Sequence, residues 1–286
     1  MTKPDVVVVG GGLGGLTAAC FLARAGRRVL LLEKKDELGG RARSDEREGF
    51  SLNLGPHALY AHGRGPAVLA ELGVGFSGKK AQGRGALALA DGELYLLPTS
   101  ASALLLTRLL SVGDKAALAR LLGGLPKMDP ARLVGTSVAD WVEGMSDRAR
   151  VRALLLALVR LSTYSHSPER LDAGATLRQL QIGASGGVYY LDGGWGTLVR
   201  GLGRAAKDAG VVVATGQAVD DLGDFAGLPT VLAVAPETAS RLLGQAIAPE
   251  RVAAQVACLD VLLRRAPRRA GWLALGIDAP VYAAVH

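Results

Sequence analysis

Residues 5–43, DVVVVGGGLGGLTAACFLARAGRRVLLLEKKDELGGRAR, decide how the rest of the chain is read. The four valines at 6–9 suit a strand buried on both faces of a parallel sheet. Gly10, Gly12 and Gly15 follow at G-x-G-x-x-G spacing. Leu16, Ala19, Cys20, Leu22 and Ala23 then recur at helical spacing, and Gly26 stops the helix. Residues 29–32 make a second buried strand with Glu33 at its carboxyl end. Strand, turn, helix, strand and terminal acid stand in the order a dinucleotide site requires. The competing reading, a glycine-rich turn in any α/β protein, explains the glycines but not the acid.

Each residue of this unit has a physical task. Gly10 turns the chain out of the strand, Gly12 lets backbone approach a pyrophosphate, and Gly15 lets helix and sheet pack closely. Leu13 and Gly14 open the helix, whose free N–H groups and positive dipole end face the phosphates. Glu33, followed by Lys34, accepts hydrogen bonds from ribose hydroxyls and repels a 2′-phosphate, which disfavours NADP.

Gly39, Gly40 and Arg41 follow shortly after the acid. Glycine fingerprint, glutamate and Gly-Gly-Arg together resemble the amino terminus of the flavin amine oxidase superfamily, which includes phytoene desaturases, protoporphyrinogen oxidases and monoamine oxidases. The resemblance implies FAD as cofactor, with Gly39, Gly40 and Arg41 over the diphosphate and flavin. It implies that residues 50–60 (FSLNLGPHALY) run past the flavin, with Gly55, Pro56 and His57 on the cofactor and Tyr60 toward substrate. A histidine capping a turn beside Gly55–Pro56 is the plainer account of His57. Residues 188–203 (VYYLDGGWGTLVRGLG) resemble the passage by which such chains return to the FAD domain. Tyr189, Tyr190 and Trp195 would then border the substrate cavity, with simple aromatic packing as the rival. No catalytic residue is assigned, because the lysine near the flavin of amine oxidases lies in a part without a counterpart here.

The expected architecture is α/β: a Rossmann-like FAD-binding domain with a parallel sheet, and a discontinuous, helix-rich α+β substrate domain. Its expected parts are residues 1–75 (FAD-binding), 76–187 (substrate), 188–250 (FAD-binding) and 251–286 (substrate-domain strands). Residues 73–85 read as a mobile basic connection, and 86–97 as a hairpin turning at Asp91–Gly92. Residues 100–161 read as leucine-rich helices, one opened by a capping box at Ser137 and Asp140, another capped at Ser146–Asp147. Strands are expected at 211–214, 230–235, 256–264 and 272–276, with a further one in PVYAAVH at 280–286. Members of the superfamily continue well beyond this length, so the resemblance leads us to expect either a second polypeptide completing the fold or a fragment of a longer chain.

Composition narrows the class. The chain has 286 residues, 49% apolar and 21% charged, which suits a globular protein with a sizeable core. No apolar run approaches the roughly 20 residues that span a bilayer, and with the first strand beginning almost at once no secretory leader is expected. Two cysteines, Cys20 and Cys258, make no disulfide framework, so a reducing cytoplasm is expected. The four histidines are scattered without metal-ligand spacing, so no metal is expected. The net charge of +7 has no nucleic-acid module to accompany it. Its densest cluster, Arg264, Arg265, Arg268 and Arg269, is either a solvated turn or a peripheral contact with an anionic membrane.

The function this reading favours is an FAD-dependent oxidase or desaturase that takes a hydride from an apolar or amine-like substrate. A non-catalytic binding module like the Rab GDP-dissociation inhibitors, and an NAD-dependent dehydrogenase, are the alternatives.

Overall fold

The computed structural model describes residues 3–81, 85–247, 252–265 and 273–285. The chain opens with β1 (Val6–Val9), α1 (Leu13–Arg24) and β2 (Val29–Leu32), followed by the hairpin β3 (Ser44–Arg47) and β4 (Phe50–Asn53). Then come β5 (Leu59–Tyr60), α2 (Arg64–Glu71), β6 (Gly78–Lys80), β7 (Leu87–Ala90) and β8 (Glu93–Leu96). A helical stretch comprises α3 (Ala101–Leu106), α4 (Val112–Gly124), α5 (Val138–Met145), α6 (Ala149–Thr163) and α7 (Ala173–Gly186). The chain closes through β9 (Val188–Leu191), α8 (Gly196–Asp208), β10 (Val212–Ala214), β11 (Thr230–Leu232), α9 (Pro236–Leu243), β12 (Leu273–Gly276) and β13 (Tyr282–Ala284).

The first sheet runs β10-β2-β1-β11, with every pairing parallel. Its central strand is buried on both faces, as four successive valines require. Val6 and Val8 pack with Leu16, Cys20, Leu198 and Leu202 under α1 and α8. Val7 and Val9 face the other way, onto Val219, Phe225 and Leu228 of the loop before β11. The fold is α/β, with a Rossmann-like parallel sheet and a second, helix-rich region.

That second region has its own core. Val138, Trp141, Val151, Leu154, Leu155 and Leu177 of α5–α7 close over Ala88, Ala90 and Leu275 of the sheet β13-β12-β7-β8. The β7–β8 hairpin turns at Asp91–Gly92, both at positive φ, as that dipeptide predicts. Ser137 caps α5 by accepting from the Asp140 N–H and donating to its carboxylate. For α6 the cap differs from expectation: the helix starts at Ala149, and Ser146 accepts from the Arg148 N–H one residue before it. The side chain of Arg160 reaches out of α6 to the Gly276, Ile277 and Ala279 carbonyls, tying the β12–β13 turn to the helices.

Two expectations are corrected. Residues 73–85 are not merely a connection, because Gly78–Lys80 pair antiparallel with β9 in the sheet β5-β9-β6. Among the described residues, 256–264 form no strand and pair with none, and Val256, Leu259, Val261 and Leu263 are exposed. Apolar alternation marks a segment fit for a sheet, but pairing requires a free neighbouring edge. Residues 211–214 and 230–235 yield the shorter β10 and β11. Arg264 and Arg265 are exposed, whereas Arg268, Arg269 and Trp272 lie outside the described residues.

Candidate dinucleotide site

The fingerprint sits where β1 ends and α1 begins, at the carboxyl edge of the parallel sheet, the usual crevice of such folds. Gly10 has φ +107, a conformation that only glycine adopts readily, and its N–H donates to the Leu32 carbonyl at 2.8 Å. Gly12 caps α1, and the first N–H groups of that helix, beginning at Leu13, have no acceptor within it. A side chain at Gly12 would meet only the Gly39 oxygen, 3.9 Å away. The helix amino terminus is thus open to a ligand, with room for an anion against backbone.

Glu33 is buried at the end of β2, where it binds backbone on two sides. Its carboxylate accepts from the Gly11 N–H at 2.7 Å and the Lys35 N–H at 3.0 Å. The acid expected to read ribose therefore also fixes the turn between β1 and α1. Lys34 beside it is exposed. Gly11 occupies an unspecified position of the motif, so spacing did not single it out. It is nevertheless buried, and a Cβ there would lie 2.5 Å from the Leu38 side chain.

The Gly-Gly-Arg turn comes directly against the fingerprint. The Gly39 N–H donates to the Gly11 carbonyl at 2.8 Å, and Gly12 and Gly39 form an isolated parallel bridge. Gly39 has φ +115 and packs on Val199 of α8, while Gly40–Ala42 make one 3-10 turn with Arg41 exposed.

His57 joins these pieces. One ring nitrogen lies 2.8 Å from the Gly55 carbonyl and the other 2.9 Å from the Arg41 carbonyl. Its ring stacks against Trp195 at 4.8 Å between centroids. Gly55 takes a positive φ and leads through Pro56 into this contact. The histidine caps the turn beside Gly55–Pro56, as its plainer reading held, and its other nitrogen reaches the Gly-Gly-Arg segment.

Sequence reasoning missed what holds Trp195 there. Ser44 donates to the Asn53 side chain, and these two side chains accept from the Gly196 and Trp195 N–H groups, respectively. The β3–β4 hairpin thereby caps the start of α8. Its strands, SDER and FSLN, carry too little apolar alternation to announce themselves.

The remaining aromatic candidates divide. Tyr189 faces Phe76 at 5.4 Å and lies under the Lys80 ammonium. Tyr190, one residue on, points to the opposite face of the strand, where its hydroxyl lies 3.2 Å from that of Tyr282. Tyr60 and Tyr164 share that side: burial pushes the Tyr164 phenol up to about 12, with Tyr60 and Tyr190 adding to the shift. Burial, then the Tyr190 hydroxyl, also raises the Tyr282 phenol. Four tyrosines thus converge on one wall, while Tyr189 and Trp195 stand elsewhere.

A parallel sheet with a glycine turn, a helix amino terminus and a buried acid at the second strand defines the Rossmann-like dinucleotide-binding class. Residues 8–72 match the NAD(P)-binding Rossmann-like domain family. Within that class, the chain resembles the flavin amine oxidase superfamily in its amino-terminal sequence and in fold. Over 56 residues it is 62% identical to a carotenoid 3,4-desaturase of Haloarcula japonica, a stretch covering 20% of this chain and 11% of the relative. An oxidoreductase from Methanosarcina mazei shares the fold at TM-score 0.62 and 22% identity, over 76% of this chain and 52% of the other. Wild-type putrescine oxidase bound to putrescine does so at 0.58 and 20%, over 77% and 52%. The chain thus spans about half the length of these solved structures. Among the described residues, no helix is long and apolar enough to cross a membrane.

Proposed function

We propose that this chain carries the cofactor site and part of the substrate region of an FAD-dependent oxidase or desaturase. The observation supporting this most is the apposition of Gly39 on Gly11 and Gly12 at the mouth of α1. A plain dinucleotide turn has no need of a second glycine turn hydrogen-bonded across it. FAD, when bound, would supply the hydride-accepting chemistry. Gly12, Leu13 and Gly14 would hold the pyrophosphate, Glu33 the ribose, and Gly39–Arg41 the diphosphate from the far side. His57 and Trp195 would fix that second turn in place.

In this reading the tyrosine wall of Tyr60, Tyr164, Tyr190 and Tyr282 borders the substrate, which is apolar or amine-like. The phenol hydroxyls position it by hydrogen bonding. We further propose a second polypeptide covering the exposed strip at Val252, Val256, Leu259, Val261 and Leu263. Exposed apolar strips of this kind are where partners bind.

The test is a visible absorption spectrum of the purified chain, alone and co-expressed with the products of neighbouring genes. Flavin bands in either preparation support the reading, and bands only on co-expression support the second polypeptide as well. Colourless protein from both overturns it in favour of a binding module, and NADH retention without flavin in favour of a dehydrogenase.

Replacing Glu33 adds a finer check. Glu33→Ala removes a charged acceptor from the ribose and from the Gly11 N–H, each such bond being worth about 1.5–3 kcal/mol. FAD affinity, read by quenching of flavin fluorescence, should fall by about ten- to 150-fold. An unchanged affinity would remove Glu33 from the site.

A further inference from the structure

The ring of His57 bridges two backbone carbonyls: Nδ1 lies 2.8 Å from the Gly55 oxygen and Nε2 lies 2.9 Å from the Arg41 oxygen. A carbonyl oxygen only accepts, so each contact needs an N–H on the ring. Neutral imidazole has one N–H and one bare lone pair, which would face an oxygen lone pair across one of the two contacts. Only the imidazolium donates to both. The indole of Trp195, 4.8 Å away between centroids, is a surface that favours a cation. The segments packed on the ring carry Arg41 and Arg43 in the Gly-Gly-Arg turn, and Asp192 and Arg200 around the start of α8. Residues 53–58 add no charge besides the ring itself. Arg43 is already held by Asp45 at 3.3 Å and Glu37 at 3.9 Å. Among the described residues, no carboxylate pairs with His57.

We infer that His57 is a positioning residue that works as an imidazolium, and that the chain binds its proton together with the anionic diphosphate of a dinucleotide. The inference rests on the dinucleotide site of the proposed function, not on the redox group at the far end of the ligand. With both nitrogens donating, the Gly55 loop and the Gly-Gly-Arg turn are tied together, and Gly39 stays against Gly12 at the mouth of α1. Loss of one proton turns one donor contact into a repulsion between lone pairs and frees that turn. A diphosphate at the mouth of α1 would supply the negative charge that the chain itself does not place on the ring, and so favours the charged form. By linkage, the protonated chain binds the diphosphate more tightly. Affinity is therefore full at low pH, where the ring is charged with or without ligand, and falls as rising pH removes the proton from the free chain.

The test is the pH dependence of binding by the full chain, with FAD and with ADP-ribose, which has the same diphosphate diester but no flavin. Affinity for both should fall about five- to tenfold between about pH 6 and 8.5, one linked proton allowing at most about tenfold per pH unit. His57→Gln, whose amide does not titrate, should give a flat profile near the wild-type affinity at high pH. His166→Gln, exposed in the loop after α6, should keep the slope. In the ADP-ribose-loaded chain, nitrogen-15 NMR should show two N–H nitrogens on the His57 ring at about pH 7.5, where a free imidazole is mostly neutral. A flat wild-type profile, a slope that survives in His57→Gln, or a single N–H on the loaded ring overturns the inference. Should His57→Gln not fold, the wild-type slope and the ring spectrum still decide. FAD binding no tighter than ADP-ribose would count against the flavin and leave the slope to decide the proton. Failure of both ligands to bind at any pH overturns the coupling outright.

Discussion

A Gly15→Ala chain should unfold at a markedly lower denaturant concentration than the wild type, with a loss of about 3 kcal/mol or more. A Cβ built at Gly15 stands 1.8 Å from the Gly10 carbonyl oxygen, 3.0 Å from its carbon and 3.2 Å from the Ala233 Cβ. The first two neighbours are backbone, so no rotamer change relieves the overlap. Either α1 lifts off the sheet or the turn at Gly10 opens, and both disturb the packing of Leu16 and Cys20 on Val6 and Val8. A domain of this kind is stable by only about 5–15 kcal/mol in total, so the loss is a large share. Gly14→Ala is the matching control: nothing lies within 4 Å of its Cβ, and alanine in a helix is favoured over glycine by up to about 1 kcal/mol. Equal midpoints for Gly15→Ala and wild type would mean that helix and strand do not approach as described.

Gly12→Val should have the opposite profile, folded but unable to hold its dinucleotide. Gly12 has φ −75 and ψ −179, extended backbone that valine accepts, and its Cβ direction is open to 3.9 Å. As a helix cap, valine is the poorer residue by about 1 kcal/mol, so the unfolding midpoint of the ligand-free protein should move little. The branched side chain would instead fill the space in front of the α1 N–H groups, where the pyrophosphate must come within hydrogen-bond distance of backbone. Flavin retained through gel filtration should fall to background. Retention near the wild-type level would place the phosphates elsewhere.

Much of this site could be read from sequence, because its signals are local. Four valines, three spaced glycines and one acid lie within a single strand–helix–strand unit. Gly193, Gly194 and Trp195 were legible for the same reason: a strand runs into a glycine pair and then into a helix. Signals that depend on distant partners were not legible. Strand β6 is Gly-Lys-Lys, without an apolar face, and exists because β9 offers an edge. Ser44 and Asn53 look like ordinary polar residues until their contact with Trp195 and Gly196 shows what they hold. Residues 256–264 err the other way, with a strand-like pattern but no pairing among the described residues. His57 lay between two readings until Arg41 and Trp195 appeared on either side of it.

The strand order β10-β2-β1-β11 has a consequence for how the chain is made. Val7 pairs with Thr230, and Leu30 with Val212, so the centre of the sheet waits for residues synthesised far later. The intervening chain supplies helices α5–α7 and most of their core before α8 arrives to cover α1, with Leu275 of β12 joining that core later. On the ribosome the order of events is therefore inverted: the middle of the polypeptide can collapse while its beginning remains half-built. Closing so long a loop is slow, and during that delay the four valines of β1 stand exposed as an aggregation-prone edge. Newly made chains should depend on holdase chaperones until β11 has emerged and the sheet has closed around its first strand.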